Sequence, residues 1–265
     1  MNILFIGDIV GRVGRKAVTE LLPNLKKEHK IDMTIANVEN LAHGRGVTEA
    51  TLDEMANLSI DCFTSGNHIW RNKAVFEILE SKKHPLVRPA NYPDGTPGCG
   101  YLSFNISQKN IYVLNLQGRV FMQDLVDDPF ATFDKLYADI DPGKEDIVIV
   151  DFHAEATSEK QAFGYYVDGK VTAVVGTHTH IPTADERLLE KGTAYITDSG
   201  CVAGTNSVLG VEQKSIITAL TTGLPQKHEY PESGEVTFNS VLLTIDDTGN
   251  ASSIKRITNQ VLINN

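Results

Sequence analysis

The first eighty residues contain three successive units, each made of a short apolar strand, a polar tip and a helical segment. The predicted strands cover residues 3–6, 32–38 and 61–65, and the predicted helices cover residues 15–29, 48–58 and 73–81. Strands that alternate with helices in this way predict a largely parallel sheet with right-handed crossovers. Ligands of such sheets collect beyond the carboxyl ends of the strands. The polar tips are therefore expected to meet at one edge.

Each of the three tips carries side chains that can bind a metal ion or transfer a proton. Asp8 follows the first strand, Glu39 and Asn40 follow the second, and Asn67 and His68 follow the third. Each tip also has a simpler interpretation. Asp8 could cap the next helix, the second tip could be a solvated strand end, and the third could form a turn. These alternatives weaken together, because all three tips are predicted at the same sheet edge.

Histidines follow two further apolar strands in the second half of the chain. His153 ends the strand predicted over residues 146–152, and His178 and His180 follow the strand predicted over residues 171–175. Imidazole is a common metal ligand near neutral pH. On an extended backbone the two neighbouring histidines would point to the same side, whereas a turn after Gly176 would let them reach two different ions. His153 could instead be a hydrogen-bonded core histidine.

The remaining pattern predicts a hairpin, two helices and three late strands. In order these are a hairpin over residues 101–106 and 111–116, helices over 128–140 and 155–163, and strands over 193–196, 236–245 and 252–260. Residues 84–100 are rich in Pro and Gly and are predicted as a loop, and residues 214–231 show no clear periodicity. The sequence has no internal repeat or linker, so one domain over residues 1–265 is expected.

Composition excludes several classes of protein. The net charge of −10 disfavours an extended nucleic-acid surface, which needs clustered Lys and Arg. No apolar run approaches the roughly 18 residues of a membrane span, and the N-terminus lacks the basic region of a signal peptide. Three dispersed cysteines argue against a disulfide framework and a thiolate zinc site. We therefore expect a cytoplasmic protein without a membrane partner.

The donor atoms at the strand ends predict the chemistry of the site. Carboxylates, amides and imidazoles without a thiolate suit borderline-hard ions such as manganese, iron or zinc. The donors are too many for one tetrahedral zinc and are enough for two ions that share a bridging carboxylate. A water that bridges two such ions loses a proton near neutral pH and becomes a nucleophile. The residues thus predict hydrolysis of a phosphoester.

The ordered motifs of the chain resemble those of the calcineurin-like metallophosphoesterases. The matching segments are Gly7-Asp8, Glu39-Asn40, Gly66-Asn67-His68, His153 and Gly176-Thr177-His178-Thr179-His180. The chain departs from the usual family pattern at three places. Val10 stands where the first motif has a histidine, Glu39-Asn40 replaces an aspartate, and Ile69 replaces an acidic residue. These departures, together with the segment at residues 151–160, resemble one bacterial subfamily, the YmdB-like phosphodiesterases.

The resemblance implies an α/β fold with four αββα layers, in which helices flank two mixed β-sheets. It implies that Asp8, Glu39, Asn40 and His180 hold one metal ion. It further implies that Glu39, Asn67, His153 and His178 hold a second ion, with Glu39 as the bridge. The implied metals are iron or manganese, with zinc as an alternative. His68 resembles the family's general acid, which protonates the leaving oxygen.

The implied substrates are small phosphodiesters, including 2′,3′-cyclic nucleotides, and the implied assembly is a homo-oligomer. A phosphomonoesterase or nuclease on the same site stays an alternative, as does a regulatory metal- and phosphate-binding protein with weak catalysis. His43 and Arg45 could contact a substrate phosphate or belong to an ordinary glycine-rich loop. His29, His84 and His228 are expected to be surface residues.

Overall fold

Two mixed β-sheets pack face to face, and helices cover the outer face of each sheet. This computed structural model describes residues 1–264. One apolar core lies between the two sheets, and one core lies between each sheet and its helices. The structure therefore confirms the four αββα layers that the family resemblance implied.

The elements follow one another as fifteen strands and six α-helices within residues 1–264. The strands are β1 (Asn2–Ile6), β2 (Asp8–Ile9), β3 (Met33–Asn37), β4 (Cys62–Thr64), β5 (Tyr101–Ile106), β6 (Lys109–Gln117), β7 (Ile147–His153), β8 (Ala173–Thr177), β9 (Arg187–Leu188), β10 (Ala194–Ile196), β11 (Cys201–Gly204), β12 (Ser207–Val208), β13 (Val211–Glu212), β14 (Gly234–Ile245) and β15 (Ala251–Ile263). The helices are α1 (Gly11–His29), α2 (Glu49–Ala56), α3 (Val75–Ser81), α4 (Pro129–Ile140), α5 (Thr157–Tyr166) and α6 (Gln213–Thr222). A short 3₁₀ helix (Asn67–Arg71) follows β4.

Parallel pairing brings the ends of consecutive strands to one edge in both sheets. The first sheet has the order β2-β11-β14-β1-β3-β4, with β15 paired to β14, and β1, β3 and β4 run parallel as predicted. The strand β14 joins this sheet antiparallel to β1, which makes the sheet mixed rather than largely parallel. The second sheet has the order β5-β6-β7-β8-β10-β9, and its strands β6, β7, β8 and β10 are parallel.

Alternation along β1 shows why the sheets pack on both faces. Ile3 and Phe5 belong to the core between the sheets, whereas Leu4 and Ile6 belong to the core under α1. Successive side chains of a strand point to opposite faces, so a continuous apolar run is what a strand buried on both faces requires. The run is short because the chain turns polar where it reaches the edge of the sheet.

Two elements differ from the sequence-based expectation. The helix α1 begins at Gly11 rather than at Arg15, so it starts three residues after Asp8. The helix α6 lies almost entirely within residues 214–231, for which the sequence showed no clear periodicity. None of its residues is buried, so no apolar stripe marks this helix in the sequence. Among the helices within residues 1–264, none is long and apolar enough to cross a membrane.

Candidate metal centre

The carboxyl ends of the strands bring together the seven residues that the resemblance assigned as metal ligands. Asp8 opens β2, the pair Glu39-Asn40 follows β3, and Asn67 begins the 3₁₀ helix after β4. His153 is the last residue of β7, and His178 and His180 follow β8. Asp8, Glu39, Asn40 and His153 are almost fully buried. Both sheets thus contribute to one polar cluster at the edge between them.

The first donor group centres on the Nε2 atom of His153. This nitrogen lies 3.3 Å from Oε1 of Glu39, 3.1 Å from Oδ1 of Asn67 and 3.1 Å from Nδ1 of His178. Ligand atoms that share an ion at roughly 2.0–2.2 Å also lie about 3 Å from one another. The nitrogen of His153 therefore lies at the spacing of one coordination shell from each of three other donor atoms.

The second donor group surrounds the side-chain amide of Asn40. Its Nδ2 atom lies 3.3 Å from Oδ1 of Asp8, 3.3 Å from Nε2 of His180 and 3.4 Å from Oε1 of Glu39. The Nε2 atom of His180 is 3.6 Å from the same Asp8 oxygen. Oε1 of Glu39 thus belongs to both donor groups, which is the position that a bridging carboxylate needs.

Asn40 differs from the expected ligand geometry in the orientation of its amide. The amide nitrogen faces the second donor group, whereas Oδ1 lies 2.7 Å from Nδ1 of His68. An amide nitrogen has no free lone pair for a metal ion, so ligation by Asn40 requires a half-turn of its amide group. Without this half-turn, the Asn40 amide nitrogen donates to Asp8 and Glu39, and its oxygen accepts a hydrogen bond from His68.

Each of the three imidazoles in the cluster has its outer nitrogen next to an oxygen atom. These contacts join His153 Nδ1 to Thr177 Oγ1 at 2.9 Å, His178 Nε2 to Glu155 Oε2 at 3.2 Å, and His180 Nδ1 to the Leu209 carbonyl oxygen at 3.0 Å. An outer N–H that donates to oxygen leaves the inner nitrogen as the one that can bind metal. The inner nitrogens are the ones that face the two donor groups.

His153 is oriented by a chain of two buried hydrogen bonds. Its Nδ1 donates to the hydroxyl of Thr177, and that hydroxyl donates to Oδ1 of Asp151 at 2.6 Å. Burial raises the pKa of Asp151 to about 7, although the charge of His153 and the hydrogen bond from Thr177 act in the opposite direction. Thr177 and Asp151 thus fix the ring of His153 with Nε2 towards the cluster.

The cluster concentrates negative charge where water cannot screen it. Burial alone would raise the pKa values of Asp8 and Glu39, but nearby imidazoles outweigh it. The charge of His180 lowers the pKa of Asp8, and the charge of His153 lowers the pKa of Glu39 to about 2. Both carboxylates are therefore ionised at neutral pH. Buried anions of this kind need cations close by.

The histidines divide into two electrostatic types. Burial opposes protonation of His153 and His180, yet Glu39 and Asp8 respectively raise their pKa values above the usual value. Burial and the charge of His153 lower the pKa of His178 to about 3. Two inner nitrogens 3.1 Å apart cannot both present lone pairs to each other, so a hydrogen or a metal ion must lie between His153 and His178. A proton on His153 meets that need, and so does a metal ion.

Donor type, spacing and charge all fit a pair of divalent ions. The cluster offers oxygen and imidazole nitrogen atoms, and its buried carboxylates supply the negative charge that such ions neutralise. Gly66 makes the packing possible, because a Cβ atom there would lie 2.2 Å from Nε2 of His153. A glycine directly before Asn67 is therefore a requirement of the site and not simply turn chemistry.

His178 and His180 diverge because the backbone turns sharply after Gly176. Both residues have positive φ angles, 97° and 66°, which the backbone of a residue other than glycine rarely adopts. The first histidine joins the donor group of His153, and the second joins the donor group of Asp8. The structure thus agrees with the second geometry predicted for the pair, in which a turn after Gly176 lets the two histidines reach different sites. Non-glycine residues in this region of φ and ψ are concentrated at functional sites.

His68 lies at the rim of the cluster and opens into a cavity of about 330 Å³. Its backbone N–H donates to Oε2 of Glu39 at 2.8 Å, and its side chain is 22% exposed. Burial lowers the pKa of His68, and the charge of Glu39 opposes this only in part. The cavity is also lined by Arg45, Glu155, Leu209, His228 and Tyr230. A substrate in this cavity can reach both donor groups.

The structure excludes the alternative role of Asp8 as a helix cap and corrects the expectation for His84. Asp8 does not cap α1, because Val10 is the capping residue and the Asp8 carboxylate accepts a hydrogen bond from the His178 backbone instead. His84 is buried and not a surface residue. Its Nε2 atom lies between the carboxylates of Glu49 and Asp53, at 3.5 Å and 3.4 Å. This second acidic group shares no residue with the metal centre.

Sequence reasoning missed the residues that support the ligands. Thr177, Asp151 and Lys160 lie within the motif segments at residues 176–180 and 151–160, but none of them was assigned a role. His228 was expected at the surface, but it faces the cavity of the centre and lies 3.1 Å from Arg45. A buried lysine or aspartate leaves no periodic signal, so only its position near a strand end could have indicated it.

Comparison with known proteins identifies the family of this chain. The family model described as YmdB-like protein matches residues 4–257. This chain belongs to the YmdB-like family. A relative from Bacillus subtilis (strain 168), named 2′,3′-cyclic-nucleotide 2′-phosphodiesterase, is 46% identical over 258 residues, which are 97% of this chain and 96% of the relative.

Two solved structures share the fold of this YmdB-like protein over nearly its whole length. A hypothetical protein from Thermus thermophilus has a TM-score of 0.91 and 38% identity, with 98% of this chain and 99% of that chain covered. A structure described as a novel phosphatase from Mycoplasma pneumoniae has a TM-score of 0.88 and 33% identity, with 99% and 94% covered. The fold and the family are thus established independently of the site.

Proposed function

We propose that this YmdB-like protein is a dinuclear metal-dependent phosphodiesterase that hydrolyses 2′,3′-cyclic nucleotides. The observation that carries the proposal is that the Glu39 carboxylate belongs to both donor groups. Each group also contains an imidazole whose outer nitrogen is hydrogen-bonded to an oxygen atom. The name of the Bacillus subtilis relative supports the substrate class.

The first ion would be held by Asp8, Glu39, Asn40 and His180, and the second by Glu39, Asn67, His153 and His178. When bound, such ions make water nucleophilic at neutral pH and neutralise the charge on phosphoryl oxygens. Iron or manganese fits the mixed oxygen and nitrogen donors, and zinc is the alternative. The buried carboxylates and the oriented imidazoles hold the ligand atoms in place before substrate binds.

His68 is the proposed general acid. The amide of Asn40 lies against its Nδ1 atom, before and after the half-turn that ligation requires, so Nε2 is the atom available to protonate the leaving oxygen of the cyclic phosphate. A lowered pKa makes the imidazolium a stronger acid, which favours proton transfer to an alkoxide leaving group. Arg45 at the same cavity offers a positive charge to the phosphate.

A substrate panel tests the proposed activity. Adenosine 2′,3′-cyclic phosphate, p-nitrophenyl phosphate and bis(p-nitrophenyl) phosphate are offered to the metal-loaded protein. We expect hydrolysis of the cyclic nucleotide to exceed that of the phosphomonoester. A general acid contributes roughly 10²–10⁴-fold, so His68→Ala should lower kcat by that order while the metal content stays unchanged. Preferred hydrolysis of the monoester would favour a phosphomonoesterase instead.

A regulatory protein with weak catalysis predicts a different result for the same variant. In that case His68→Ala and the parent protein would both turn over slowly and would restore a deletion strain equally well. We further propose that residues 1–265 form a single domain, supported by the shared core between the two sheets. The homo-oligomeric assembly and the cytoplasmic location stay predictions.

A further inference from the structure

A second cavity, of about 390 Å³, lies beside the metal centre and has a basic lining. Arg12 and Arg15 from the first two turns of α1 line it together with Lys227, against the carboxylates of Glu229 and Glu232. In the whole chain, acidic residues outnumber basic ones by 34 to 24. Three basic side chains against two acidic ones line this cavity, whereas acidic residues predominate in the protein, so an anion is less disfavoured here than elsewhere on the chain.

The two cavities share a wall. His228 and Tyr230 line both of them, and the loop over residues 42–45 runs between them. The backbone N–H of Gly11, at the second cavity, donates to the carbonyl oxygen of Asn40 at 2.9 Å. Tyr230 packs against Gly44 in this wall, where a Cβ atom would lie 2.0 Å from its ring, so a ligand that spans both cavities has to pass this ring.

The basic side chains differ in how firmly they are held. Arg12 pairs with Glu232 at 2.9 Å, with side-chain exposures of 48% and 61%. Exposed pairs of this kind contribute little, so a phosphate can replace the glutamate and gain a bidentate contact. Arg15 is fixed by Glu54 at 2.6 Å and by the Leu41 carbonyl oxygen. Its charge is already matched by Glu54, so Arg12 and Lys227 are the cations that a phosphate would contact.

We propose that this basic cavity binds a second phosphate group of the substrate, carried on the 5′ oxygen of the nucleoside whose 2′,3′-cyclic phosphate is cleaved. This inference rests on the proposed function and names its preferred substrate class. The last nucleotide of an RNA fragment that ends in a 2′,3′-cyclic phosphate also carries a phosphate on its 5′ oxygen. The aromatic ring of Tyr230, at the shared wall, offers a surface on which the intervening nucleoside can stack.

Three substrates distinguish a terminal 5′-phosphate from an internucleotide phosphodiester as the second phosphate. They are adenosine 2′,3′-cyclic phosphate, the same nucleotide with a 5′-phosphate, and the dinucleotide adenylyl-(3′→5′)-adenosine 2′,3′-cyclic phosphate. A charge-assisted contact predicts kcat/KM at least about tenfold higher for the compounds with a second phosphate. An advantage for both, or for either one alone, supports the cavity and shows which source it accepts. Equal values for all three overturn the inference.

Variants at the basic cavity then test whether its side chains cause the advantage. Arg12→Ala/Lys227→Ala should remove most of the advantage and change hydrolysis of the plain cyclic nucleotide by less than about twofold. Lys16→Ala removes the same charge from α1 outside the cavity and should leave every ratio unchanged. Glu232→Ala releases Arg12 and should keep or increase the advantage. An equal loss on all substrates, or an advantage that survives the double variant, overturns the inference.

The proposed function can fail separately from this inference. If the metal-loaded protein hydrolyses none of the three compounds, the proposed phosphodiesterase activity is wrong. Calorimetric measurement of the equilibrium binding of the same compounds then tests whether the basic cavity binds a second phosphate, independently of catalysis. Tighter binding of a compound with a second phosphate, lost in Arg12→Ala/Lys227→Ala and weakened by salt, supports it. Equal dissociation constants contradict it.

Discussion

Nζ of Lys160 lies 2.7 Å from Oδ2 of Asp198, and this buried ion pair contacts the backbone on both sides of His178. Nζ also donates to the carbonyl oxygen of Thr177 at 2.6 Å, and the N–H of Thr179 donates to the Asp198 carboxylate at 3.1 Å. These contacts hold His178 in its unusual backbone conformation. The ion pair thus positions the turn that sends His178 and His180 to different donor groups.

Replacement of the lysine should therefore affect both stability and the metal centre. Lys160→Met leaves the Asp198 charge buried without its partner, which costs about 3–5 kcal/mol in comparable cases. Urea unfolding of the metal-free protein measures this loss. Lys160→Met/Asp198→Asn leaves no unpaired charge and should recover part of the stability. A Lys160→Met protein within about 1 kcal/mol of the parent would show that the pair is not needed.

The hydroxyl of Thr177 should matter for metal affinity more than for folding. Thr177→Val keeps the shape of the side chain but removes the acceptor that holds Nδ1 of His153. Loss of such an outer partner typically lowers metal affinity by about 10–100-fold. Competition with a chelator measures the affinity. Thr34→Val is the matched control, because its buried hydroxyl has no hydrogen-bond partner within residues 1–264. Equal affinities for the two variants would contradict the proposed orientation of His153.

Stability should depend on pH through Asp185, which lies outside the metal centre. Burial would raise its pKa, but hydrogen bonds from Thr183 and Thr197 outweigh this and lower it. The folded state thus favours the carboxylate. Its contribution is present above the unfolded pKa of about 3.9 and is lost as the pH falls through the lower folded value.

Asp185→Asn should therefore lose stability at neutral pH and approach the parent in acid. The loss at pH 7 should be about 1.5 kcal/mol, at the low end for charged hydrogen bonds because the side chain is partly exposed. Urea unfolding between pH 7 and pH 3 measures the difference. Asp139→Asn on α4, an exposed site, removes the same charge and serves as the control. A difference that grows in acid would contradict the proposed role of Asp185.

Much of the fold follows from local patterns in the sequence. Apolar runs such as Ile3–Ile6 mark strands buried on both faces, and the polar residue after each run marks the edge where the tips converge. The antiparallel insertion of β14 could not be predicted in this way, because it depends on pairing between β1 and a strand that is distant in the chain. The helix α6 was missed because none of its residues is buried.

The candidate site was predictable in its donor types and not in its orientation. Strand-end position alone indicated Asp8 and His153, since parallel strands bring their ends together. The direction of each ring depends on distant partners, such as the Leu209 carbonyl oxygen behind His180. The amide of Asn40 likewise takes its orientation from His68 and Asp8. Such contacts join separate loops, and no spacing in the sequence encodes them.

Titration of the metal-free protein with manganese or iron, while hydrolysis of adenosine 2′,3′-cyclic phosphate is followed, tests the dinuclear phosphodiesterase most directly. We expect activity to appear with metal and to reach its maximum near two ions per chain. Glu39→Gln, which alters the carboxylate common to both donor groups, should bind less metal and stay inactive at the same concentrations. Full hydrolysis by protein that carries no metal, or saturation at one ion per chain, would contradict the dinuclear mechanism.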